Sequence, residues 1–160
     1  LDTFMIATPV QWASPLLAAA CFVALWIAVT WLLSYTSGWV ALARLYRADR
    51  EAVGIPVRMR AARMGRGASG RFRNVLTLWV GSEGIQLRLQ FLFRINSPDL
   101  FVPWAEIAVS RGRQLFFNYI ELNFLLAPDI PLRLYGEAAE RVCAAADEHW
   151  PEIRSGPLAP

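Results

Sequence analysis

LLAAACFVALWIAVTWLL, residues 16–33, carries no charged side chain and a single hydroxyl, Thr30. With Ser34 and Tyr35 the run reaches the roughly 20 residues needed to cross a hydrocarbon core about 30 Å thick, and it predicts a transmembrane helix over residues 15–35. Pro15 suits the first turn of such a helix, and aromatic residues that favour a membrane–water interface bracket it: Trp12 on one side, and Trp31, Tyr35 and Trp39 on the other. For a buried helix of a globular core the run is too long and too uniformly apolar. A cleaved secretory signal would place basic residues ahead of the apolar run; residues 1–14 hold only Asp2 among charged side chains, so the run reads as a retained anchor.

Composition agrees with an anchor. Hydrophobic residues make up 56% of the 160 positions and charged residues 18%, against about a quarter charged in soluble proteins. Beyond the anchor the sequence predicts one small domain, so a multidomain enzyme is not expected. The 9 Phe, 7 Trp and 4 Tyr give that domain material for a core. All 16 basic residues are Arg, a choice consistent with high-GC coding bias. Nine of them (Arg44, Arg47, Arg50, Arg58, Arg60, Arg63, Arg66, Arg71 and Arg73) fall within residues 44–73, against only Asp49 and Glu51. Basic residues flank only the C-terminal side of the anchor, so the positive-inside rule predicts an outside N-terminus (1–14) and a cytoplasmic domain.

Residues 37–54 place Trp39, Leu42, Tyr46 and Val53 near helical spacing, which predicts a juxtamembrane amphipathic helix with Ser37 as its N-cap and Gly54 as its end. From 55 the period changes to two and turn residues recur, predicting strands at 55–64, 71–80, 84–92, 100–104, 106–110, 115–126 and 130–135. Alternation is cleanest where Ile85, Leu87, Leu89 and Phe91 face one way and Gln86, Arg88 and Gln90 the other. A helix over 137–150 follows, stopped by Pro151, and 151–160 is a tail.

About seven antiparallel strands closed by one C-terminal helix, together with the segments VGSEGIQL (80–87) and SPDLFVPWAEI (97–107), resemble the pleckstrin homology (PH) superfold over residues 55–150. The order of anchor and domain also resembles that of bacterial single-pass membrane proteins with a PH-like module. The resemblance implies a bacterial inner-membrane location, and it makes the loop between the first two strands the expected headgroup site. Here that loop and its flanks carry Arg63, Arg66, Arg71 and Arg73, within a wider block that includes Arg58 and Arg60. Such a superfold hosts lipid binders, peptide binders and structural modules, so function must come from the site.

Catalytic motifs are missing from the sequence: no P-loop, GxGxxG, HExxH or CxxC occurs, and the one histidine, His149, sits near a helix end beside acidic residues. Cys21 is separated from Cys143 and His149 by a whole domain, and those two, six residues apart on a helix, point in different directions, so neither a metal nor another cofactor is expected, and no catalytic residue is assigned. Small residues at Ala20, Ala24 and Ala28 would let another helix approach the anchor, though alanine abundance explains them equally. Strands 71–80 and 115–126 are apolar on both faces, which offers Trp79, Phe117 and Tyr119 as a docking patch unless the juxtamembrane helix covers them. The Arg block serves topology, anionic phospholipid or an acidic protein face; nucleic acid fits poorly for want of interleaved aromatics. The expectation is a non-catalytic accessory subunit of a larger integral membrane complex, for example a respiratory or photosynthetic one. The alternative is a free-standing module that binds anionic lipid headgroups through the Arg-rich first hairpin.

Overall fold

The computed structural model describes residues 10–65, 70–114 and 117–151. One long helix, α1 (Val10–Thr36), leads into a short one, α2 (Trp39–Tyr46), and then into a mainly-β region. Within α1, Pro15–Thr36 is long and apolar enough to cross a membrane, and nearly all of it is uncovered by the rest of the chain. The helix begins earlier than expected, so Pro15 falls in its second turn rather than its first.

The strands are β1 (Ile55–Met59), β2 (Ala62–Met64), β3 (Arg71–Phe72), β4 (Leu76–Val80), β5 (Gly84–Leu89), β6 (Leu100–Pro103), β7 (Ile107–Gln114), β8 (Phe117–Phe124) and β9 (Ala127–Tyr135). They form two antiparallel sheets, ordered β1-β4-β5-β6 and β3-β2-β9-β8-β7. Two expected strands are broken. The stretch 55–64 is interrupted at Arg60 and Ala61, and its halves enter different sheets; 71–80 is interrupted between Phe72 and Leu76, where Asn74 has φ 55°. The physical reason shows in the burial parity, because Val57 and Met59 point inward before the break while Ala62 and Met64 do so after it. A strand that exchanges sheets must shift its inward set by one residue.

The core lies between the sheets and is built from inward residues such as Met59, Leu78, Leu87, Val102, Leu122, Phe124 and Leu132. α3 (Glu137–Ala146) covers one open end against β1, β4 and β9 through Ala138, Ala139, Val142 and Ala146. Helix α2 fills another position. Its stripe of Trp39, Leu42 and Tyr46 is buried in the same core, so Trp39 is a core residue and not part of an interfacial belt. The Tyr46 ring packs at a tilt against Phe124, centroids 6.0 Å apart, and its hydroxyl accepts a hydrogen bond from the Leu126 N–H. Burial, reinforced by neighbouring Glu106 and partly opposed by the Leu126 bond, holds that hydroxyl above its ordinary pKa. The helix expected over 37–54 therefore stops at Tyr46: Arg47 turns extended and bridges to Leu100, and Val53 is exposed.

The turn from α1 to α2 depends on Gly38, the residue before α2, at φ 82°. Ser37 is not the cap; its hydroxyl donates back to the Ser34 carbonyl. A Cβ at Gly38 would stand 3.0 Å from the Ile130 side chain. Gly38→Ala is expected to cost about 1–2 kcal/mol from the left-handed backbone, with the Ile130 contact adding to it. Chemical denaturation of the full chain in detergent measures this as a lowered midpoint.

Candidate functional site

The end of α1 and the residue just after it carry the polar residues Thr30, Ser34 and Ser37, spaced i, i+4 and i+7, and all three are buried although residues 31–33, 35 and 36 are exposed. That spacing puts them on one face. Thr30 turns its hydroxyl onto the Trp26 and Ile27 carbonyls within its own helix. Ser34 looks outward to the β region: its hydroxyl donates to the Asn96 carbonyl at 2.9 Å and accepts from the Ser97 hydroxyl at 3.0 Å. One turn beyond the helix, Trp39 Nε1 donates to the Pro98 carbonyl at 2.9 Å. Three successive residues of the β5–β6 connection, 96–98, are thereby pinned to the helical segment.

Further along α1, Trp26 packs its ring 5.5 Å from that of Phe93 and donates a long hydrogen bond to the Leu92 carbonyl. The whole connection thus runs beside the helix.

Between α1 and the first β hairpin lies a cleft of about 240 Å³ lined by Thr30, Leu33, Ser34 and Ser37 on one wall and Arg71, Phe72, Arg73 and Val75 on the other. Leu89 and Phe93 line it as well, and the Phe72 ring packs at a tilt against Trp39, centroids 6.0 Å apart. Arg71 and Arg73 are exposed and have no ion-pair partner among the described residues. On another side of the same helix end, Arg44, Arg47 and Arg94 line a second depression with Ser97 and Pro98. Asp99 accepts from Arg88 Nε at 2.7 Å and Arg94 Nη2 at 3.1 Å, so two guanidinium groups share one carboxylate and the local balance stays positive. The C-terminal end of α1 thus wears a cationic collar.

Not all the Arg residues expected to act together do so. Arg58 and Arg60 are exposed on β1 and at the break after it, away from the cleft's lining. Arg63 is half-buried, engaged, and paired across strands with Arg71 and Arg133, in a row that ends on Glu121. Glu121 accepts from Arg133 and raises its pKa further. Arg66 and the side chains of Trp12 and Phe117 lie outside the described residues.

The expected docking patch is dispersed. Trp79 stands on one sheet with Arg88 at 5.9 Å over its ring, and Tyr119 on the other with Arg133 at 5.2 Å, stacked on Tyr135. Both are half-buried under diagonal cross-strand neighbours rather than under α2. On α1, Ala20, Ala24 and Ala28 are exposed, and Trp31 stacks on exposed Tyr35 at 4.6 Å.

Two larger concavities carry no converging chemistry. The one beside Arg47–Val53, about 550 Å³, has scattered charges of both signs, including an exposed Arg50–Glu83 pair at 3.6 Å. The groove between β7, β8 and α3, about 950 Å³, contains Cys143, whose thiol is pushed up by burial against the opposing effect of Arg111. A raised thiol stays protonated near neutrality and is a poor nucleophile. His149 is exposed, and among the described residues no three His, Cys, Asp or Glu side chains gather to hold a metal. Comparison with protein families, with characterised proteins and with solved structures finds no match.

The hydroxyl stripe and the 90–98 connection are the features that sequence reasoning missed. Their signal was present as a 3.6-residue repeat, Trp26, Thr30, Ser34 and Ser37, inside an otherwise uniform run. Removing either hydroxyl of the Ser34–Ser97 pair by alanine substitution is expected to cost about 0.5–1.5 kcal/mol. The double variant should cost less than the sum, because each serine's partner is already gone. A double-mutant cycle on denaturation midpoints of the full chain checks this; strict additivity would contradict the contact.

Proposed function

We propose that the protein is a non-catalytic, single-pass membrane module whose β domain is held against the cytoplasmic leaflet and takes an anionic lipid headgroup in the cleft beside Arg71 and Arg73. The observation that carries this reading is the position of the cleft. One wall belongs to the last turns of the apolar helix and the other to two exposed arginines, so apolar surface and cationic surface meet at one level. A phospholipid presents the same sequence of chemistry, acyl chain then phosphate. Thr30 and Ser34 lie between the two, although their hydroxyl protons are committed within the protein. What remains open to a phosphate is the guanidinium pair, and an arginine fork matches phosphate oxygens well.

Retention of α1 as an anchor is supported by its contacts. Cleavage after the apolar run would strip Ser97, Asn96 and Phe93 of their partners on the helix. The cationic collar at the C-terminal end of α1 favours the N-terminus outside and the domain inside, in the inner membrane of a bacterium. The domain itself reads as PH-like: the two halves of one bent strand, β1 and β2, serve both sheets, and a C-terminal helix covers an open end.

A second reading, an accessory subunit of a larger integral membrane complex, is favoured by one observation. Ala20, Ala24 and Ala28 lie exposed at helix-packing spacing on the face of a helix that its own domain leaves free. Stoichiometric membrane partners retained in mild detergent would move the assignment to it.

Full-length protein in neutral detergent should gain thermal stability from short-chain phosphatidylglycerol but not from phosphatidylcholine, and the gain should fade with salt. At about 1 kcal/mol per arginine, Arg71→Gln with Arg73→Gln should weaken the anionic lipid by about 30-fold. An equal response to both lipids, or an undiminished one in the double variant, would contradict the assignment.

A further inference from the structure

The connection Gln90–Asp99 is more than a loop that leans on a helix. Its tip is a 3-10 turn, Phe91–Phe93, of three large apolar residues. Phe91 is 83% exposed and Leu92 58%, while Phe93 packs on Trp26. In a β domain facing water on all sides, two adjacent apolar side chains so exposed would be costly.

Their height along α1 explains them. The connection touches α1 at Ser34 through Asn96 and Ser97 and at Trp26 through Leu92 and Phe93. Eight helical residues separate those contacts, a rise of about 12 Å. Trp26 lies close to the middle of the apolar segment Pro15–Thr36. Keeping the tip in water would put the membrane boundary on the N-terminal side of Trp26. That would cut the apolar segment Pro15–Thr36 near its middle and put its C-terminal half, about 16 Å of helix, in water. It would also leave the exposed Trp31, Leu32 and Leu33 in water.

We propose that the Phe91–Leu92–Phe93 turn inserts into the same bilayer leaflet that α1 enters, as a second, non-spanning membrane contact whose partner is the acyl region beneath the headgroups. The proposal rests on the reading of α1 as a span. Two features of the turn suit that medium. Part of its backbone is satisfied: Phe93 N–H donates to the Gln90 carbonyl, Arg94 N–H to Phe91 and Ser97 N–H to Arg94, while the Leu92 carbonyl accepts from Trp26 of α1. Each such partner lowers the cost of irregular backbone in lipid. Next in the chain, Arg94 reaches back to Asp99 and keeps its guanidinium half-exposed, where a side chain snorkelling to the phosphates would hold it. The inserted turn and the span together fix the domain's tilt and hold the Arg71–Arg73 cleft at headgroup height.

The test uses full-length protein in phosphatidylcholine–phosphatidylglycerol liposomes, with Cys21→Ala and Cys143→Ala as background and one nitroxide at a time on Phe91→Cys, Phe22→Cys or Ser82→Cys. All three sites are exposed, so labelling leaves the fold intact. Collision with oxygen, which concentrates in hydrocarbon, is compared with collision with a water-soluble nickel chelate. The oxygen-to-nickel ratio at position 91 should match that at 22 and exceed that at 82. Position 22 in lipid with position 91 in water overturns the inserted turn and leaves the span standing. Position 22 in water overturns the span and the insertion with it. Low collision with both reagents at 91 puts protein over the turn and also overturns the proposal.

Discussion

A shared hydroxyl contact, Ser97 to Ser34 to the Asn96 carbonyl, is the point at which an apolar helix and a β domain become one body. Without it, Ser34 would be a polar side chain on an apolar helix with nothing better than its own backbone to bond. With it, three hydroxyl-bearing residues turn a featureless cylinder into one with a defined inner face, and the β5–β6 connection has a track to follow. The net energy of such a bond is small, about 1 kcal/mol, but its directionality sets rotation and height where apolar packing alone would tolerate sliding. The surrounding contacts, Trp39 on the Pro98 carbonyl and Trp26 on Phe93, fall into place around that setting.

The consequences run through the chain in both directions. Gly38 can make its left-handed corner because the helix already ends at a fixed place, and the corner delivers Trp39, Leu42 and Tyr46 into the β core. The helix end is thus gripped from two sides, by the connection and by α2. The same fixed end decides which arginines matter. Arg71 and Arg73 face the helix, whereas Arg58 and Arg60, equally basic and equally exposed, do not. Charge density along the sequence is therefore a poor guide to charge density in space, because a strand that changes sheets scatters its neighbours.

Much of the architecture was legible in the sequence because it is written in periodicity. The uniform run 16–33 and the alternation through Ile85, Leu87 and Leu89 each admit few folded outcomes. Illegible parts are those where one period masks another event. Phe91 continues the alternation of β5, yet the strand has ended at Leu89 and the ring points outward. Trp39 follows the span as a belt residue would, yet its spacing with Leu42 and Tyr46 serves a core. Trp79 and Tyr119 looked like an open patch because a linear reading cannot see that Arg88 and Arg133 lie diagonally across the adjoining strands. Of the candidate site, the arginine wall was visible; the helix wall was not, since a lone Thr and two Ser at the edge of an apolar run resemble tolerated polarity more than a docking face.

The cleft, the inserted turn and the cationic collar all depend on α1 and the β domain holding one relative geometry. Pulsed electron paramagnetic resonance between nitroxides at Leu25→Cys on α1 and Glu83→Cys on the β4–β5 turn, in a background without Cys21 and Cys143, measures that geometry directly in lipid. A single narrow distance distribution is expected, broadening when Ser34 and Ser97 are both replaced by alanine. A broad or multiple distribution in the parent protein would mean that the domain swings on its anchor, and would contradict the single geometry.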